Sequence, residues 1–180
     1  MIQIDNQFIR DWASGYDDPN IGGDEADYNL ILAKVSDEIS NIGTLSGETF
    51  TQVMDWKASR AKGKVNWDDF ASYQRIIKYA TKAPDEIKLA ILCSLDGVGV
   101  PVASTILHFV YPDRFPIVDY RVTEVLYDAG KLTSQSITQS SYKVYMKVIM
   151  DICGEIACDI RTLDRALFAY HKLNPHIWSE

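Results

Sequence analysis

The chain has 180 residues, enough for one compact domain with a core of its own. Hydrophobic residues make up 47% and charged residues 24%, a balance that excludes a disordered chain, and no apolar run approaches the roughly 18 residues of a membrane helix. The net charge of -7 weighs against a nucleic-acid partner, but it is unevenly spread: residues 1–50 hold ten Asp and Glu against Arg10 and Lys34, and the remainder holds 16 basic and 15 acidic side chains.

The opening MIQIDNQFIRDW lacks the basic-then-apolar order of a secretory signal, so a cytoplasmic, monomeric protein with no membrane segment is expected. Apart from a strand stub at Met1–Ile4, the apolar spacing is helical throughout and predicts an all-α domain over residues 1–180 with about eight helices. A first helix begins near Asp24, buries Ile31, Val35, Ile39 and Ile42, and ends at Gly43. Ser46 caps a second through Lys57. Asn66, with Asp69 three residues on, caps a third that buries Phe70, Tyr73, Ile77 and Ala80. Residues 43–66 offer the one place for a lobe boundary.

Pro84, followed by Asp85 and Glu86, opens a fourth helix carrying Ile87, Ile91 and Leu95, stopped by Asp96 and Gly97. Pro101 starts a fifth that runs to about Val110. The segment YPDRFPIV has no helical period, so the chain crosses in extended form until Asp119 caps a sixth helix closing at Gly130. Two more helices, over 137–156 and 160–173, complete the chain. Cys93, Cys153 and Cys158 cannot all pair and match neither a zinc site nor a four-cysteine cluster, so buried thiols are expected.

The chemistry concentrates in LDGVGVPVAS. Gly97 and Gly99 allow a tight turn between two helices and leave its backbone bare, so that amides at the start of the second helix face outward with the positive end of the helix dipole behind them. Such a site suits a phosphate, and because it uses backbone rather than lysine an acidic protein can use it. The same turn serves packing alone in many helical proteins.

The residues Leu95, Gly97, Val98, Gly99 and Ala103 resemble the helix-hairpin-helix turn L-P-G-V-G-x-x-T-A of the HhH-GPD superfamily of base-excision DNA glycosylases, the endonuclease III and 8-oxoguanine glycosylase-like enzymes. Asp119 in FPIVDYRV lies eighteen residues beyond Pro101, the spacing of that superfamily's aspartate in endonuclease III-like members. The specific match covers about residues 93–126, within a motif region of 87–126. The resemblance implies a glycosylase-like helical bundle that binds duplex DNA with a damaged or modified base. It implies phosphate contacts at the amides of Gly97, Gly99 and Val102, and a monovalent cation, sodium or potassium, on the carbonyls of Cys93, Leu95 and Val98. It also makes Asp119 the catalytic carboxylate, which stabilises the positive charge that develops on the sugar as the N-glycosidic bond breaks. Pro101 stands where bifunctional members carry a Schiff-base lysine, so hydrolysis without lyase activity is expected. No iron-sulfur cluster is expected, since the four-cysteine pattern is missing.

Outside the motif, WKASRAKGK interleaves Trp56 with Lys57, Arg60, Lys62 and Lys64, a composition that suits either a DNA-facing wall or a solvated helix end around a core tryptophan. Tyr120 and Arg121 are candidate contacts to the DNA backbone or to an extruded base, or plain first-turn residues. His108 reads as a packed or surface imidazole, and His171 and His176 lack metal geometry. Two rival readings remain: a non-catalytic helix-hairpin-helix binding protein, and a helical scaffold for a protein partner.

Overall fold

A computed structural model of the chain describes residues 2–178. Nine α-helices follow one another among the described residues, with no strand: α1 (Asn6–Trp12), α2 (Glu25–Asn41), α3 (Gly47–Ala58), α4 (Phe70–Lys82), α5 (Asp85–Leu92), α6 (Val100–Val110), α7 (Tyr120–Asp128), α8 (Gln139–Ile156) and α9 (Ile160–Leu173). Short 3-10 turns occupy Ala13–Asp17, Ser59–Lys64, Trp67–Asp69 and Pro175–Ile177. No helix is long and apolar enough to cross a membrane.

The helix beyond the expected eight is α1. Asp5 caps it by accepting from the amides of Gln7 and Phe8, each at 2.9 Å, but seven residues with one buried side chain show no period in sequence. Residues 2–4 form no strand, and Met1 lies outside the described residues. Ser46 caps α3 as expected, its Oγ accepting from the Thr49 amide at 3.2 Å. Gly43 turns the chain out of α2 at φ +73°, a left-handed value that favours glycine. Asn66 does not cap: a 3-10 turn intervenes, α4 starts at Phe70, and the Asn66 amide donates to the Tyr73 hydroxyl at 3.1 Å.

The chain divides into two compact units, one of residues 26–115 and one made of the flanking segments, up to Glu25 and from Pro116 onward. Residues 43–66, the one place the sequence offered for a lobe boundary within an expected single domain, lie inside the first of these.

The 26–115 unit is built around α6, which is buried from Val102 to Phe109 and packs on α3 and α5. Its hydroxyls are satisfied within the helix: Ser104 and Thr105 both donate to the Pro101 carbonyl, at 2.9 and 2.8 Å. His108 is fully buried, with Nδ1 2.9 Å from the Phe115 carbonyl and Nε2 2.8 Å from the Tyr28 hydroxyl. A carbonyl only accepts, so Nδ1 carries a proton and donates to Phe115. Two helix faces depart from the expected phase. In α2 the buried residues are Tyr28, Ile31 and Val35, while Ile39 is half-buried and Ile42, beyond the helix end, is 48% exposed. In α5 the buried residues are Lys88, Leu89 and Leu92, with Ile87 exposed and Ile91 half-buried. The reason lies in Lys88, whose ammonium donates to the carbonyls of Ala80, Thr81 and Ala83 at 3.2, 2.8 and 2.6 Å and so closes the C-terminal end of α4. Desolvation holds its pKa below the usual lysine value, against the pull of Asp85.

In the other unit α9 packs against α1, the Ala13–Asp17 turn, α7 and α8. Arg161 of α9 is the centre of its polar interior: the guanidinium bonds Glu25 at 2.7 Å and Asp164 at 2.6 Å and lies over the Tyr16 ring at 4.5 Å. Each buried charge thus has a partner, as burial requires.

Candidate functional site

The expected residues fall in two places, one in each unit. In the 26–115 unit, the chain leaves α5 through residues 93–99 in successive tight turns and enters α6 at Val100. Gly97 has φ +79°, and a Cβ there would lie 3.0 Å from the Ala61 carbonyl oxygen and 3.0 Å from the Val65 side chain. Both constraints demand glycine. Gly99 differs: at φ -79° it has ordinary backbone geometry, and a Cβ would meet only the Pro101 ring, at 3.8 Å. Of the two glycines that allow the tight turn, Gly97 alone takes a left-handed dihedral; Gly99 does not, and is the N-cap of α6. Pro101 in the first turn supplies no N–H, so the amides of Gly99, Val100 and Val102 are the donors this helix end can offer. The turn is tied down by Tyr73, whose hydroxyl donates to the Asp96 carbonyl at 2.9 Å.

A cleft of about 390 Å³ opens here, lined by residues 95–99, Pro101 and Val102 on one side and by Ala58, Ala61 and Lys64 on the other. The basic segment therefore does meet the glycine turn, through Lys64. Trp56 does not line the cleft: it is half-buried, its ring centroid 5.5 Å from Phe109 and 6.0 Å from Tyr28. Lys57 is half-buried and Arg60 is exposed; neither lines the cleft, and Lys62 pairs with Asp55. The carboxylate of Asp96, exposed at the rim, opposes an anion there. Of the three carbonyls expected to hold a cation, Leu95 accepts from the Val98 amide at 3.0 Å and keeps its second lone pair, while Cys93 caps α5 and Val98 lines the cleft.

In the other unit, the extended lead-in is held by two buried tyrosines of α8. Tyr142 donates to the Pro116 carbonyl at 2.8 Å and Tyr145 to the Ile117 carbonyl at 2.6 Å. Burial pushes the Tyr142 hydroxyl well above the usual tyrosine value and the Tyr145 hydroxyl likewise, so both stay protonated donors. Asp119 then caps α7, its Oδ1 accepting from the Arg121 amide at 3.0 Å, with the Arg121 guanidinium 3.5 Å away and the side chain only 18% exposed. Arg121 lies over the ring of Tyr120 at 4.3 Å and that of Phe168 at 5.5 Å. Tyr120 is half-exposed.

Sequence reasoning missed the group next to this one. His171 of α9 bonds Glu124 of α7, Nε2 to Oε2 at 2.7 Å, and stacks on Trp178 with centroids 4.6 Å apart. Tyr120 meets His171 edge-on at 6.1 Å. The Nδ1 of His171 and the Nε1 of Trp178 are buried and find no hydrogen-bond partner among the described residues. Burial holds the His171 pKa below its usual value, with Glu124 pulling the other way. No sequence signal pairs positions 124 and 171, which lie on different helices.

Of the cysteines, Cys153 is buried as expected while Cys93 and Cys158 are half-exposed. Protein-family models, curated proteins and solved structures contain no match to the chain.

Proposed function

We propose that this chain is a helix-hairpin-helix DNA glycosylase of the HhH-GPD type, hydrolysing the N-glycosidic bond of a modified base in duplex DNA without lyase activity. The observation that carries the reading is the glycine turn: Gly97 is fixed by φ and by contact at 3.0 Å, and the N-terminal end of α6 opens into a cleft beside Lys64. The amides of Gly97, Gly99 and Val102, with that of Val100 between them, meet a DNA phosphate there, aided by the helix dipole. The carbonyls of Cys93, Leu95 and Val98 would hold a monovalent cation that offsets the charge of the same phosphate.

Asp119 supplies the negative charge under the sugar as the base departs, and orients the attacking water. Its capping bond uses one lone pair of one oxygen. Pro101 has no primary amine, so no imine forms at its position.

The second reading, a non-catalytic binding protein, is favoured by one feature: Arg121 approaches Asp119 to 3.5 Å and offsets its charge before any substrate arrives. One experiment separates the two. Duplexes with single modified bases are incubated with the protein and treated with alkali to cleave abasic sites. Cleavage with one of them, and no adduct trapped by borohydride, supports the enzyme. Salt-sensitive binding without cleavage on any duplex supports the binder.

A further inference from the structure

We propose that Cys153 and Cys158 form a redox-sensitive thiol pair, a modification site that closes to an intramolecular disulfide by exchange with small-molecule disulfides of the glutathione type. Their sulfurs lie 4.0 Å apart, at the corner where α8 ends and α9 is about to begin.

The corner explains why they meet. Ala157 takes the left-handed conformation at φ 53°, the one positive φ of a non-glycine residue among those described. The Cys158 amide donates back to the Cys153 carbonyl at 3.2 Å. This is a Schellman-type helix end, which brings the side chains before and after the left-handed residue into contact. That contact is usually apolar; here both partners are thiols. With the backbone already folded back on itself, rotation of the two side chains brings the sulfurs to the bonding distance of about 2.05 Å.

The two cysteines differ in access, which sets the order of events. Cys158 is half-exposed and Cys153 buried. The Cys158 thiolate attacks one sulfur of oxidised glutathione, forming a mixed disulfide and releasing one glutathione thiolate. The Cys153 thiolate then attacks the Cys158 sulfur, forming the internal bond and releasing the second glutathione thiolate. Two protein thiols are oxidised, one glutathione disulfide is reduced, and the two thiol protons pass to solvent or to the released glutathione. Burial pushes the Cys153 thiol up to about 12 and raises that of Cys158. The reaction therefore runs slowly at neutral pH and accelerates with alkali.

The test uses the full chain, incubated with oxidised glutathione at pH 7 and pH 9, alkylated and digested. Residues 148–161 form one tryptic peptide holding both cysteines and no internal Lys or Arg. The expected product is this peptide about 2 Da lighter and refractory to alkylation. Further cleavage after Glu155 should leave its two pieces joined until reductant is added. Formation should be faster at pH 9, and Cys93 should stay outside the bond. Cys153→Ser should stop the reaction at a lasting mixed disulfide on Cys158, and Cys158→Ser should leave Cys153 unreacted. A wild-type protein that keeps both thiols alkylatable, or that accumulates glutathione on Cys158 without closing, overturns the proposal. Circular dichroism of both variants, at a half-exposed and a buried position, checks that each folds.

Discussion

The glycine turn and the Asp119 lead-in are both short irregular segments that deliver a helix N-terminal end, yet they are built by opposite means. The turn is shaped mainly by its own backbone: Gly97 lies at φ +79°, where a Cβ would also press on Ala61 and Val65 at 3.0 Å, and one outside hydroxyl, that of Tyr73, secures it. The lead-in is shaped by other helices. Its carbonyls at 116 and 117 are fixed by hydroxyls 26 and 28 residues away, and Asp119 is bracketed by Arg121. A segment of the first kind tolerates change in its surroundings but not in its glycine. A segment of the second kind tolerates change in itself and depends on its holders. Charge separates the two as well: the 26–115 unit carries ten Lys and Arg against eleven Asp and Glu, whereas the unit bearing Asp119 carries eight against fourteen.

The sharpest break of this comparison is Asp119→Asn. Asn caps a helix as well as Asp does, so the melting temperature should hold, while base release should fall by about 10²–10³-fold, the usual scale for losing a preorganised electrostatic group. Retained turnover would remove Asp119 from the chemistry and leave it a cap.

Gly97→Ala should come next. A left-handed alanine costs about 1–2 kcal/mol by itself, and contact with the Ala61 backbone oxygen at 3.0 Å adds to this. Gly99→Ala should cost less than about 1 kcal/mol, since only cap preference changes. Urea denaturation of the pair would show equal effects if the turn were not built as described.

Tyr145→Phe probes the lead-in from its holder. Loss of the 2.6 Å bond orphans the buried Ile117 carbonyl and should destabilise by about 1–3 kcal/mol. If the lead-in positions Asp119, turnover should fall as well, without a matching change in DNA binding.

The Glu124–His171 pair predicts a pH effect. The folded pKa of His171 lies below the ordinary value of about 6.5, so the unfolded chain binds more protons between the two. Its contribution is therefore complete above about pH 6.5 and lost as pH falls toward the lowered value. Thermal melts from pH 7.5 to 5 should show this slope, and His171→Gln should flatten it. The smallest effect expected is that of Lys64→Ala, which should lower DNA affinity alike for all sequences and reduce the salt slope by about 1.

Much of the fold was legible along the chain because its signals are local. Ser46, Gly43, Asp119 and Gly130 mark helix ends through dihedrals and caps that involve a few neighbouring residues. Where the reading failed, a distant partner had changed what a residue type means. Ile87 and Ile91 read as the buried face of α5, but Lys88, Leu89 and Leu92 are buried instead, and three carbonyls from the end of α4 converge on the Lys88 ammonium. Asn66 reads as a cap and is bypassed by a 3-10 turn.

For the candidate sites the division is the same. The sequence by itself determined the glycine turn, a proline without an N–H in the first turn of α6 and an aspartate at the head of a helix, because each rests on one residue's own geometry or chemistry. Only the tertiary structure decided that Lys64 lines the turn's cleft while Trp56 packs beside Phe109 and Tyr28, that Tyr142 and Tyr145 hold the lead-in, and that Glu124 and His171 pair. Those depend on which helix faces meet, and contacts between positions dozens of residues apart leave no periodicity in a single chain to read.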